Sequence, residues 1–193
     1  MRTNLFKVSS MFLFAGTLAV LIPSCKSSKG ITPKQEGEVL ISTYCTGDEF
    51  KSTPKALRFS AIGESMDQMT AKKKSMSEAR AGLAGSINTL VKGVTDNYVK
   101  SGNFDNKEEL LKNYEGLNRE VVDQSLSGTI VICEKMTKTK EGTYKSYVCI
   151  ELGANDILQS INNKATSNEM LKVDYNYEKY KKTFEEEMNK IGK

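Results

Sequence analysis

The chain contains no histidine. That absence removes the commonest general base, every Ser-His or Cys-His nucleophile pair and the usual zinc ligands. A C-x-x-C pair, a G-x-x-x-x-G-K-[ST] phosphate loop and an H-E-x-x-H helix are missing as well. Carboxylates do stand together at Glu108 and Glu109 and at Glu185 to Glu187. Both groups fall in highly charged stretches predicted to be helical, where solvation and i,i+4 pairing account for them. The sequence therefore points to no catalytic residue, no metal ligand and no cofactor, and no small-molecule substrate is evident.

A long hydrophobic run is absent too. Met11 to Ile22 is uncharged for twelve residues, which as a helix would rise only about 18 Å against a hydrocarbon core of about 30 Å. Charge of one sign is scarce: the 28 basic residues less Arg2 and Lys7 leave 26 against 24 acidic ones. Nucleic acid is thereby disfavoured as a partner, because phosphate binding wants a concentrated basic surface. The lysine run at 72–74 is no exception, since on a helix successive side chains fan out by about 100°.

What is present begins with a leader. Arg2 and Lys7 precede the short apolar run, Pro23 stops it, and LIPSC follows at 21–25. An apolar residue three before a cut, a small residue one before it and a cysteine directly after it resemble a bacterial lipoprotein signal. That resemblance implies a signal peptide over residues 1–24, with diacylglycerol on the thiol of Cys25 and a mature protein held to a membrane through that lipid. The other reading is a plain secretion signal followed by an incidental cysteine. Residues 25–37 are polar, with Gly30 and Pro33, and read as a flexible tether. In Bacteroides-type envelopes, surface-bound lipoproteins tend to carry acidic residues next to the cysteine; Lys26, Ser27, Ser28 and Lys29 stand there instead. The implied location is the outer membrane, facing the periplasm.

Residues 38–193 form one predicted α+β domain, a size that supports a real core. Glu38 to Tyr44 alternates weakly as a candidate edge strand, and 45–55 is a loop. Leu57, Phe59 and Ala61 alternate with Arg58 and Ser60 in a half-buried strand near 56–63. A helix of about 66–100 follows, opened by a Ser65–Gln68 capping box. It carries a bulky stripe through Met69, Met76, Leu83 and Leu90, and a second stripe of small residues through Ala71, Ser75, Ala79, Gly82 and Ser86. The small stripe is expected to let the helix lie close against a sheet. At about 52 Å the helix must overhang that sheet or break, with Gly93 as the expected break.

Asp105 to Leu126 is a second predicted helix, and 128–152 is a hairpin in which Ile130 and Ile132 share a face, as do Val148, Ile150 and Leu152. Placing both sets on one side requires paired numbers with an even sum. A three-residue loop with left-handed Gly142 makes that sum 282 and sets Cys133 opposite Cys149. Either these two form a disulfide, in an oxidising compartment, or they are two reduced, half-buried thiols. Cys45 is left over as a free thiol. A short helix over 154–165 and a tyrosine-rich helix over 174–191 complete the chain. The aromatic side of the last helix is expected to dock on the same core.

The strand RFSAIGES, the helix AKKKSMSEARAGLAGSI and the pair GTIVICEK and YKSYVCIEL together resemble the twenty-kilodalton lipoprotein family of Gram-negative envelopes. Its domain is related to the N-terminal module of a periplasmic flagellar assembly protein. The likeness spans residues 56–166. The C-terminal helix lies outside it, and it implies a compact α+β module without established catalytic residues, so no active site is carried over. Three roles stay open: a lipid-anchored binding or scaffold module with a protein partner in the envelope, a surface-exposed structural or antigenic lipoprotein, and a thiol-dependent redox protein using Cys45.

Overall fold

The computed structural model describes residues 41–191. Cys25, the 1–24 leader, the 25–37 tether and the first part of the candidate strand at 38–44 lie outside them; residues 41–43 of that candidate have no regular structure. The order is β1 (Ala56–Ser65), α1 (Gln68–Ser101), α2 (Lys107–Leu126), β2 (Ile130–Lys138), β3 (Tyr144–Gly153), α3 (Ala154–Ser167) and α4 (Tyr177–Met188). The three strands form an antiparallel sheet in the order β1-β3-β2, packed on one face against α1 with the other helices around it. This is the expected α+β arrangement.

The small stripe on α1 is what brings helix and sheet together. A Cβ on Gly63 would lie 2.2 Å from the Ala71 carbonyl oxygen and 2.3 Å from the Ser75 nitrogen, so β1 touches the α1 backbone itself. A Cβ on Gly82 would fall 2.2 Å from the Phe59 ring. Ala71, Ser75 and Ala79 are buried, whereas Met69 is exposed, so at this end the small residues and not the bulky ones face the sheet. Ser75 shares a 2.8 Å hydroxyl–hydroxyl hydrogen bond with Ser146 of β3, which satisfies two buried polar groups at once. Gly85 has no such neighbour.

Toward its C-terminus α1 overhangs the sheet and does not break at Gly93. Leu90, Val91, Val94 and Tyr98 are buried there, and α2 and α4 pack alongside. The helix is capped by Asp67, which accepts from the Thr70 N–H at 2.8 Å, and not by Ser65; the Ser65 hydroxyl accepts instead from the Asp67 N–H. Likewise α2 is capped by Asn106, one residue after the predicted start at Asp105, its side chain accepting from the Glu109 N–H. Both shifts follow from the same competition, since any short polar side chain near a helix start serves as cap and the backbone geometry chooses among them.

The tyrosines converge under the overhang. Tyr98 lies 5.2 Å from Tyr180 between ring centroids, and Tyr114 stacks on Tyr180 at 5.9 Å. The Tyr98 hydroxyl donates to the Asp174 carbonyl at 2.7 Å and accepts from the Asn176 N–H at 2.8 Å, which pins the segment leading into α4. Tyr180, Phe184 and Met188 are buried. The aromatic side of α4 therefore docks on the domain's own core.

The hairpin keeps the register sum 282 from Cys133–Cys149 to Lys138–Tyr144, with Gly142 left-handed at φ 91° in its loop. Beyond Cys133 a bulge at Ile132 shifts it, so that Val131 pairs with Ile150 and Ile130 with Glu151. Ile130 and Val131 are both exposed. The expectation of a shared buried face for Ile130 and Ile132 fails because β2 is an outer strand, while α1 packs on β1 and β3. No described helix is long and apolar enough to cross a membrane.

Candidate functional site

Strand alternation turns Arg58 and Ser60 of β1, Tyr147, Cys149 and Glu151 of β3 and Cys133 of β2 away from the helices. The register aligns Ser60, Cys149 and Cys133 in one row across all three strands. Over that row lies the segment 44–55. Tyr44 meets Tyr147 edge-on at 5.3 Å, and Ser60 Oγ donates to the Cys45 carbonyl at 2.6 Å. The single 3-10 turn Asp48–Phe50 follows. Arg58 then ties the segment down: its Nε donates to Glu151 at 2.6 Å and one terminal nitrogen donates to the carbonyls of Glu49 and Lys51 at 3.0 and 3.1 Å. Ser52 Oγ accepts from the Arg58 N–H and donates to its carbonyl, imitating a strand partner.

The disulfide of this layer joins Cys45 to Cys133, with Cα atoms 5.5 Å apart and a sequence separation of 88. The sequence-based pairing of Cys133 with Cys149 is thereby corrected, and so is the reading of Cys45 as a free thiol. Cys133 and Cys149 do face each other across the ladder as the register required. Cys45 reaches Cys133 from the covering segment, within the ordinary span of a disulfide. The bridge also closes the longer loop, worth about 4.6 kcal/mol against about 3.1 for the hairpin pair in the chain-entropy estimate. Cys45 itself adopts φ 56°, a left-handed conformation that costs a non-glycine residue about 1 kcal/mol.

Among the described residues Cys149 is the free thiol, fully buried. Its Sγ lies 3.9 Å from the Phe50 carbonyl oxygen. Burial pushes this thiol up from its ordinary value, with Ser60 and Arg58 acting in the opposite direction, so it is held protonated at neutral pH.

A concavity of about 280 Å³ opens between α1 and α2 and is lined by Asn88, Lys92, Thr95, Asp96, Glu115 and Asn118 among others. Asn118 donates across it to Asn88. It holds no nucleophile with an adjacent base, and its volume falls at the lower end of small-molecule sites. The carboxylates singled out in sequence serve the surface, Glu187 accepting from Asn97 and pairing with Lys190. The lysines at 72–74 diverge as expected: Lys72 pairs with Glu134 at 2.7 Å and Lys74 donates to the Glu64 carbonyl at 3.1 Å. Among the described residues no group of three or more metal-ligating side chains is gathered.

The chain matches no family model, no curated protein and no solved structure.

Proposed function

We propose that the chain is a lipid-anchored, non-catalytic module of a bacterial envelope, held by Cys25 and facing the periplasm, that binds or scaffolds another envelope protein. The observation that carries this reading is the leader ending in LIPSC. The Cys45–Cys133 disulfide is consistent with an oxidising compartment. It also has a mechanical sense. Cys45 lies eight residues beyond the 25–37 tether, so a pull on the tether passes through the bridge to the sheet without first peeling off residues 46–55.

The test is metabolic palmitate labelling and cell fractionation of the wild type and Cys25→Ala. The wild type should carry label and sediment with membranes; the variant should carry none and appear in the soluble envelope extract. An unlabelled wild type, or a mature N-terminus elsewhere than Cys25, overturns the reading. Protease added to intact cells separates periplasmic from surface placement, since only a surface domain is cut. In-cell crosslinking with mass spectrometry then identifies the neighbour and its dependence on the anchor.

A further inference from the structure

Cys133 has two cysteines within bonding reach. One is Cys45, to which it is joined; the other is Cys149, directly opposite it in the β2–β3 ladder. Antiparallel ladder partners have Cα atoms about 4.5 or 5.5 Å apart, and both distances fall within the span of disulfides. Cys149 is also the one described cysteine left unpaired, and it is fully buried beneath the segment that Cys45 begins. Burial keeps external thiols and oxidants from it and leaves the neighbouring disulfide as its reachable electrophile.

We propose that Cys45, Cys133 and Cys149 form an internal thiol–disulfide exchange relay, in which Cys149 displaces Cys45 from Cys133. Cys149 gives up its proton and the thiolate attacks Cys133 Sγ. The Cys133–Cys149 bond forms as the Cys45–Cys133 bond breaks, and Cys45 leaves as a thiolate that takes up a proton. One disulfide and one thiol are present before and after, so neither oxidant nor reductant is consumed. The left-handed backbone at Cys45 is freed to relax. The covering segment loses its covalent link to the outer strand β2 and keeps the Ser60 and Arg58 hydrogen bonds. The free thiol thus moves from the sheet to the head of the covering segment, where Cys45 is buried at 5% exposure against the Tyr147 carbonyl. Because burial holds Cys149 protonated, the exchange is slow at neutral pH and quickens about tenfold per pH unit while the thiol remains mostly protonated.

The experiment uses the chain with Cys25→Ala, so that three cysteines remain. The oxidised protein is incubated at pH 8.5 and, in parallel, at pH 6.5. Samples are quenched in acid, unfolded, alkylated with N-ethylmaleimide and digested for mass spectrometry. The starting material should carry the label on Cys149 alone. With time the label on Cys45 should rise as that on Cys149 falls, about a hundredfold faster at pH 8.5 and at a rate independent of protein concentration. Label that stays on Cys149, label that enters Cys45 and Cys133 together, or a concentration-dependent rate each overturns the proposal. A second variant, Cys25→Ala with Cys45→Ser, should form a Cys133–Cys149 bridge under mild oxidation by glutathione disulfide. Persistence of two thiols in a folded variant would show that Cys149 cannot reach its partner.

Discussion

Gly63 faces the Ala71 carbonyl oxygen so closely that a Cβ on the glycine would lie 2.2 Å from it. Neither side can yield cheaply, because the obstacle is helix backbone in both directions along α1. Gly63→Ala should therefore cost about 2–3 kcal/mol or more, as overpacking in a close contact does. Gly85→Ala should act in the opposite direction. Nothing lies within 4 Å of a Cβ there, so the gain in helix propensity, about 0.5–1 kcal/mol, is realised in full. Urea midpoints for the two variants should move to opposite sides of the wild type. Equal shifts would count against the close-contact account of the small stripe.

The disulfide should carry a large part of the domain's stability. Cys133→Ala removes both bonding options of the relay, so it isolates the bridge better than Cys45→Ala. Its expected cost is about 3–5 kcal/mol for an 88-residue separation. Reductant should lower the wild-type urea midpoint to nearly the variant's value and leave the variant where it was.

Arg58 is expected to hold the covering segment in place. It is 22% exposed, forms an ion pair with Glu151 and donates to two carbonyls of the segment. Arg58→Ala should cost about 1–2 kcal/mol. It should also make Lys51 and Lys55 accessible to a lysine-specific protease about ten times faster, with helix content unchanged. Unaltered cleavage would show that the disulfide alone retains the segment.

Alkaline pH should unfold the domain steeply. Burial pushes the hydroxyls of Tyr114, Tyr175 and Tyr180 far above the ordinary tyrosine value and raises Tyr98 in the same direction. These groups stay protonated in the fold while the unfolded chain ionises them near pH 10. Above that pH the unfolded state binds fewer protons than the native one, so stability falls as pH rises. Each group contributes a slope of up to about 1.4 kcal/mol per pH unit, and four together about 5. Urea midpoints measured from pH 8 to 11 should decline slightly near pH 9 as the Cys149 thiol joins in, then drop sharply above 10. Tyr114→Phe should flatten the drop by one group's share. Because the Tyr114 hydroxyl has no hydrogen-bond partner, it should cost less than about 1 kcal/mol at pH 7.

Local patterns were readable where one physical rule dominated. The register sum of the hairpin followed from Gly142 and from the need to bury Val148, Ile150 and Leu152, and the structure keeps it from Cys133 to the turn. The small stripe on the long helix announced a close approach, and Gly63 and Phe59 of β1 supply its partners. Where several residues could fill one role, as Ser65 and Asp67 could at the start of α1, the pattern named the neighbourhood and missed the residue. The bulge at Ile132 left no trace in the alternation, because an outer strand is not obliged to bury either face.

The sequence by itself determined the strands and helices from Ala56 onward, their order, the α+β architecture and the buried faces of β1 and β3, because alternation and helical periodicity are properties of neighbours along the chain. It also excluded histidine chemistry outright. Only the tertiary structure decided which cysteine meets which. Cys45 lies in an aperiodic loop with no pattern to place it, and its seat above Cys133 depends on Ser60, Arg58 and Tyr147, brought beneath it from two strands. The thiol left over is consequently the buried Cys149 and not the loop cysteine.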